Sequence, residues 1–120
     1  MQGAKYKELF AYQKSFELVK KVYTLTKDFP KEELYGAISQ LRRAVISIPV
    51  NIAEGYMRGS KEYVHFLKIS LGSSAEVDTL LSLSKELSFC TGKDVEPLIY
   101  INTEVSKLLI TYINRLTTKN

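Results

Sequence analysis

"RRAVISIPVNIAEGYMRGS", Arg42 to Ser60, is the stretch whose reading decides the fold. It has helical spacing, yet it carries a proline, a glycine, an asparagine and a glutamate among apolar residues. At 100° per residue, a helix extended back to Leu34 separates into three lines. Leu34, Ile38, Leu41, Val45, Ile48 and Ile52 form a core stripe. Gln40, Arg43, Ser47, Asn51, Glu54 and Arg58 form a nearly unbroken polar line. Ile46, Val50, Ala53 and Met57 form a second apolar stripe, turned from the first by roughly a third of a circle. A surface helix of a monomeric bundle needs one apolar stripe. The second is covered either by two neighbouring helices of the same bundle or by another subunit, and periodicity leaves both open.

Pro49 cannot donate to the carbonyl of Val45, and its ring crowds that group. The core stripe keeps phase through Ile48 and Ile52, so a kink near Pro49 is expected rather than a break. A buried, unpaired polar group costs about 1–3 kcal/mol. Glu54 is therefore expected to pair with an arginine, and Arg58, four residues on, is the nearest. The polar line reads as a structural hydrogen-bonded seam, because ion-pair networks are commoner than active sites.

Outward from this segment the punctuation gives four helices, at about 7–28, 32–57, 61–88 and 95–117. In the first, Leu9, Tyr12, Phe16, Val19 and Tyr23 share a face. "FPKEE" ends it, since the residue before Pro30 is pushed from helical geometry. "RGS" closes the second, with Gly59 suited to a left-handed cap and Ser60 to capping the helix that follows. The third carries Val64, Leu67, Leu71 and Leu81. After "CTGKD", Asp94 is a candidate cap and Pro97 fits the first turn of the fourth helix. That helix carries Leu98, Ile101, Val105, Leu108, Tyr112 and Leu116. Short connections predict a single all-α domain over 1–120, an antiparallel up-down-up-down four-helix bundle.

At 120 residues the chain is long enough for one ordinary core. Its lone cysteine, Cys90, excludes an internal disulfide and any Cys-rich metal site. With no leader segment evident, the expected compartment is the reducing cytoplasm. No apolar run is long enough to span a bilayer. The net charge is +4, all of it in residues 1–60; residues 61–120 are neutral. Such asymmetry points mildly to a polyanionic partner.

"QLRRAVISIPVNIAEG", followed by "RGSKEYVHFLKISLGSSAEV", closely resembles the four-helix-bundle family encoded in intervening sequences of 23S rRNA genes. The opening "YKELFAYQKSFELVKKVYTLTKDFPKEE" resembles that family's first helix and turn. The resemblance covers essentially the whole chain, with Ser70 and Val77 as small departures where the pattern has alanine and leucine. It implies a bundle that assembles into rings, most often homopentamers, and it implies no enzymatic activity and no cofactor. A related branch of bundles serves retroelements as accessory proteins that bind a reverse transcriptase and nucleic acid. A fold-level likeness does not by itself carry function.

Two chemistries compete. Lys7, Lys14 and Lys21 recur every seven residues on the first helix; Arg42 and Arg43 lie on the second, Lys61 and Lys68 on the third. Such groups meet phosphates, and nearby tyrosines stack on bases. Any one lysine is more often a solvated surface charge. A ring of five copies would carry about +20, enough to attract RNA at low salt. The competitor is a metal-independent ribonuclease of the HEPN type, in which Arg58 would stabilise phosphorane charge and His65 would move a proton. His65 is the only histidine, and a loose two-residue spacing arises often by chance. Glu54, Glu76, Asp78 and Glu104 lack the Glu-x-x-His repeats of di-iron bundles. Asp78 lies near the apolar side of its helix and is expected to meet a buried partner. The resulting expectation is a non-enzymatic oligomeric scaffold or binding module. Its expected partner is structured RNA or a nucleoprotein, with a protein-only scaffold and the ribonuclease as alternatives.

Overall fold

The computed structural model describes residues 5–118. A 3-10 turn at Lys5–Glu8 leads into α1 (Phe10–Thr26). A second 3-10 turn (Lys31–Glu33) and one wide π-helical turn (Leu34–Ile38) precede α2 (Ser39–Arg58), and α3 (Ser60–Glu86) and α4 (Gly92–Thr117) follow. The molecule is an all-helical four-helix bundle, drawn out to 48 × 21 × 19 Å. Tyr6 meets Tyr56 while Arg42 meets Thr26, so α1 and α2 run in opposite senses. Ser47 with Ser73 and Gly55 with Phe66 give the same relation for α2 and α3; Tyr63 with Tyr112 and Ser74 with Asn102 give it for α3 and α4.

Two helix boundaries have a clear local cause, while Ser60, expected to cap α3, is its first residue and makes no cap bond. Thr91 caps α4 by accepting from the Asp94 amide, and the Asp94 carboxylate accepts in return from the Thr91 amide, a reciprocal box. The cap is therefore Thr91, three residues before the expected Asp94, and Asp94 supports it from inside the helix. α2 and α3 are joined by Gly59 alone, at φ 108°, which an L side chain rarely adopts. α2 continues unbroken through the buried Pro49.

The core is built on Leu41, Val45, Ile48 and Ile52 of α2 with Leu18, Val22, Leu67, Val77, Leu81, Val105 and Leu109. Each such side chain contributes about 1.5–3 kcal/mol when fully buried. The α1 stripe differs from expectation. Its buried line is Ala11, Ser15, Leu18, Val22 and Thr26. The bulkier set of Leu9, Tyr12, Val19 and Tyr23 is only half-buried, and Phe16 is exposed. The inward line thus mixes small residues with Leu18 and Val22, and the large apolar groups of α1 stand on a flank. On α4, Leu98, Ile101 and Val105 are buried as expected. Beyond them the line passes to Leu109 and Ile113, leaving Leu108, Tyr112 and Leu116 half-buried. Asp78 is solvent-exposed, so the buried pairing expected of it is not made.

Buried serines line α3. Ser70 donates to the Ile48 carbonyl at 2.9 Å, and Ser74 bonds the Asn102 side-chain carbonyl at 2.8 Å while Asn102 donates back to the Ser74 carbonyl at 2.8 Å. Gly55 permits the closest approach: a Cβ there would lie 2.5 Å from the Phe66 Cβ. Gly72 has nothing within 4 Å of such a Cβ. Gly55→Ala should therefore destabilise the bundle by about 1–3 kcal/mol through overpacking, despite better helix propensity. Gly72→Ala should stabilise it by up to about 1 kcal/mol. Urea melts of the two variants check the pair, and equal shifts would contradict the packing account.

Candidate functional site: the α1–α2 groove and its charged surroundings

α2 presents its second apolar line outward. Ile46, Val50 and Met57 are 38%, 51% and 60% exposed, and Ala53 is half-buried. Neighbouring helices of the bundle do not cover this stripe. They extend it. Tyr12, Phe16 and Val19 of α1 stand beside Ile46, Pro49, Val50 and Ala53, forming an open, almost wholly apolar groove of about 350 Å³. Lys20 supplies its one charged wall. Periodicity alone assigns the α1 half of this groove to the core. The signal that identifies it is the parallel line of small residues, Ala11 and Ser15, on the same helix.

The polar line of α2 divides in two. Asn51 donates to the carbonyl and hydroxyl of Ser47, and the Ser47 hydroxyl meets that of Ser73 at 2.8 Å, a seam between α2 and α3. Gln40 and Arg43 line a shallow cleft with Ser47, Ser73 and Glu76 and do not join that hydrogen-bonded chain. Farther along, Glu54 pairs with Arg58 at 2.9 Å, as its spacing requires, but on the surface rather than in the interior. Arg58 also reaches Glu62 at 3.2 Å and lies 4.9 Å from the Phe66 ring centroid. The hydrogen bonds it donates to Glu54 and then to Glu62 raise its pKa. His65 is exposed and packs edge-on to Phe66, 5.5 Å between centroids. The guanidinium offered to the ribonuclease alternative is thus committed to two carboxylates.

The basic candidates are spread over several seams. Arg42 stacks 4.3 Å from the Tyr23 ring centroid, donates to the Thr26 hydroxyl at 2.9 Å and approaches the Tyr23 carbonyl at 3.4 Å. It closes the C-terminal turn of α1, where a cation suits the helix dipole. Lys14 pairs with Glu104 of α4 at 2.9 Å. Lys7, Lys21, Arg43, Lys61 and Lys68 are exposed, with Arg43 over the α2–α3 side and Lys61 and Lys68 on α3. Among the described residues no cluster of three or more His, Cys, Asp or Glu could hold a metal ion, and no helix is long and apolar enough to cross a membrane. Burial pushes the Cys90 thiol up, away from the reactive thiolate.

A second concentration of side chains lies at the end of the bundle where α2 passes into α3. Tyr6, Tyr56, Tyr63 and Tyr112 form a continuous series of ring contacts there. In the sequence they are scattered, but three lie near helix ends that an antiparallel bundle gathers together.

The family model described as 23S rRNA-intervening sequence protein matches residues 7–111. Among solved structures, the chain is similar to a protein of unknown function from the S23 ribosomal protein family of Bacteroides thetaiotaomicron VPI-5482. The TM-score is 0.79 at 26% identity, covering 87% of this chain and 95% of that one. No curated protein matches.

The hydrogen bond from Lys14 holds the Glu104 carboxyl below its ordinary range, and the same contact raises Lys14. The pair's contribution is present at neutral pH. On the acid side it is lost as pH falls through the lowered Glu104 pKa, and on the alkaline side as pH rises through the raised Lys14 pKa. The melting temperature should fall on acidification, less steeply in Glu104→Gln. An identical slope in that variant would show the pair to be inconsequential.

Proposed function

This chain belongs to the 23S rRNA-intervening sequence protein family, and from that premise we propose that it is a non-enzymatic scaffold assembled from several copies, which presents basic surfaces to structured RNA or a nucleoprotein. The exposed α1–α2 groove carries this reading. Apolar area of that kind on an otherwise charged chain is a binding surface awaiting its partner. The occupant is a second copy. Exposed apolar side chains also stand on α3 and α4, among them Ile69, Leu83 and Ile110, outside the groove. A groove on one side and apolar side chains on another make a head-to-tail contact, which closes into a ring when the rotation per subunit permits. The ring implied by the sequence resemblance agrees with that geometry.

The RNA part of the proposal rests on repetition. One copy has a net charge of +4 and exposes Lys7, Lys21, Arg43, Lys61 and Lys68 on separate seams, too dispersed to grip a phosphate path alone. Symmetry brings equivalent charges together and multiplies them. Recognition of this type follows charge and shape, and it weakens steeply with salt. A lone, half-buried Cys90 suits action in the reducing cytoplasm.

Val50→Asp should reduce the native mass to that of the monomer while leaving the helical circular dichroism signal intact. An unchanged mass would remove the groove from the interface. Lys21→Glu with Lys68→Glu should weaken binding of a structured RNA and flatten its salt slope by roughly one unit for each phosphate no longer neutralised. Lys14 is unsuitable for that test, because a glutamate there would face Glu104. RNA binding that is absent at low salt in the unmodified protein would leave only the protein scaffold.

A further inference from the structure

Among the described residues, one buried side-chain polar atom lacks a hydrogen-bond partner: the hydroxyl of Tyr63, a residue only 6% exposed. Leaving a buried O–H unpaired is costly, and native structures rarely do so without a reason. Burial pushes the Tyr63 pKa up, and neighbouring Tyr112 adds to the effect, so the group stays protonated. Tyr112 sits edge-on with its centroid 5.7 Å away. Its hydroxyl is near enough to raise the Tyr63 pKa but does not meet hydrogen-bond geometry, so the donor has no well-formed acceptor within the chain.

Tyr63 lines a cleft of about 470 Å³, within the size range of small-molecule sites. Tyr6, Tyr56 and Tyr112 form its aromatic walls, with Lys5 and Glu8 beside them. Those three rings are half-buried, and their contacts with one another are tilted or edge-on rather than stacked. Tyr6 belongs to the short 3-10 turn at Lys5–Glu8 rather than to one of the four long helices. The ligand must supply a flat face for the tyrosines, an acceptor for the Tyr63 hydroxyl and an anion for Lys5. A quaternary ammonium has no acceptor and would meet Lys5; an aliphatic chain would leave the hydroxyl unpaired.

We infer that this cleft binds the base of a phosphate-bearing nucleotide. The base stacks on Tyr56 and Tyr112 and accepts from Tyr63, the phosphate reaches Lys5, and Glu8 accepts from a ribose hydroxyl. The same chemistry is offered by a free mononucleotide and by an unpaired nucleotide of an RNA strand. The second source deepens the RNA reading above and rests on it; the first does not.

Calorimetric titrations of the full chain with uridine and adenosine 5′-monophosphate, with ribose 5-phosphate and with a short single-stranded RNA test this. At least one mononucleotide should bind saturably where ribose 5-phosphate does not. Tyr56→Ala should weaken that binding roughly tenfold or more, as expected for loss of a stacking ring. Tyr63→Phe should also weaken it, yet leave the melting temperature unchanged or higher, because the deleted hydroxyl has no partner in the unliganded chain. A lower melting temperature in Tyr63→Phe with undiminished nucleotide binding would overturn the assignment, as would equal binding of ribose 5-phosphate. RNA binding that persists in both variants, without mononucleotide binding, would overturn this site while sparing the charge-driven RNA reading. Mononucleotide binding without RNA binding would uphold the site with a free nucleotide as its ligand and remove the RNA reading.

Discussion

The close approach of α2 to α3 is the constraint on which the rest of the bundle depends. Gly55 lies against Phe66, and Ser47, Ser70 and Ser73 bridge the two helices with hydroxyl groups. Larger residues at these positions would hold the helices apart. This contact occupies one side of α2, and the core line through Val45, Ile48 and Ile52 occupies a second. Ile46, Val50 and Met57 are left on the remaining side with α1 flanking but not covering them. The outward apolar stripe thus follows from the seam.

The four helices, the core line from Ile38 to Ile52 and the pairing of Glu54 with Arg58 were legible in the sequence, because each depends on spacing within one helix; Leu34, read as the start of that line, is exposed in the turn before α2. The α1 stripe was not. Periodicity ranks lines by apolar content, and on α1 the bulkiest line is Tyr12, Phe16 and Val19, while the buried line includes Ala11, Ser15 and Thr26. Which of two parallel lines faces in depends on what the other helices present to it, and spacing within α1 carries no record of that. Asp78 misleads for the same reason: its helical position borders the apolar side, but no neighbour reaches over it. The tyrosine cleft was illegible because its members come from four separate segments.

Charge is distributed with similar logic. Arg42, in the middle of the most distinctive motif, closes α1 against Tyr23 and Thr26, and Arg58 is held between two glutamates. The arginines that stand out in the sequence are largely spent on the fold. The exposed positive groups are mostly lysines, which act as point charges on flexible stems and suit loose attraction better than shaped recognition. On the two readings proposed above, the charged surface asks of a nucleic acid only polyanionic character, whereas the tyrosine cleft asks for an accessible base.

The single-residue link at Gly59 also bears on how the chain reaches this structure. Residues 47 to 73 pair across it, and close to the turn Gly55 meets Tyr63 and Phe66, so the tightest packing in the bundle joins segments that are near neighbours in sequence. Closing so short a loop sacrifices little chain entropy, whereas bringing Lys14 to Glu104 encloses most of the polypeptide. Across small domains, contacts this local in sequence go with fast folding. The α2–α3 hairpin is the segment that can order first, with α1 and α4 docking onto a template already in place.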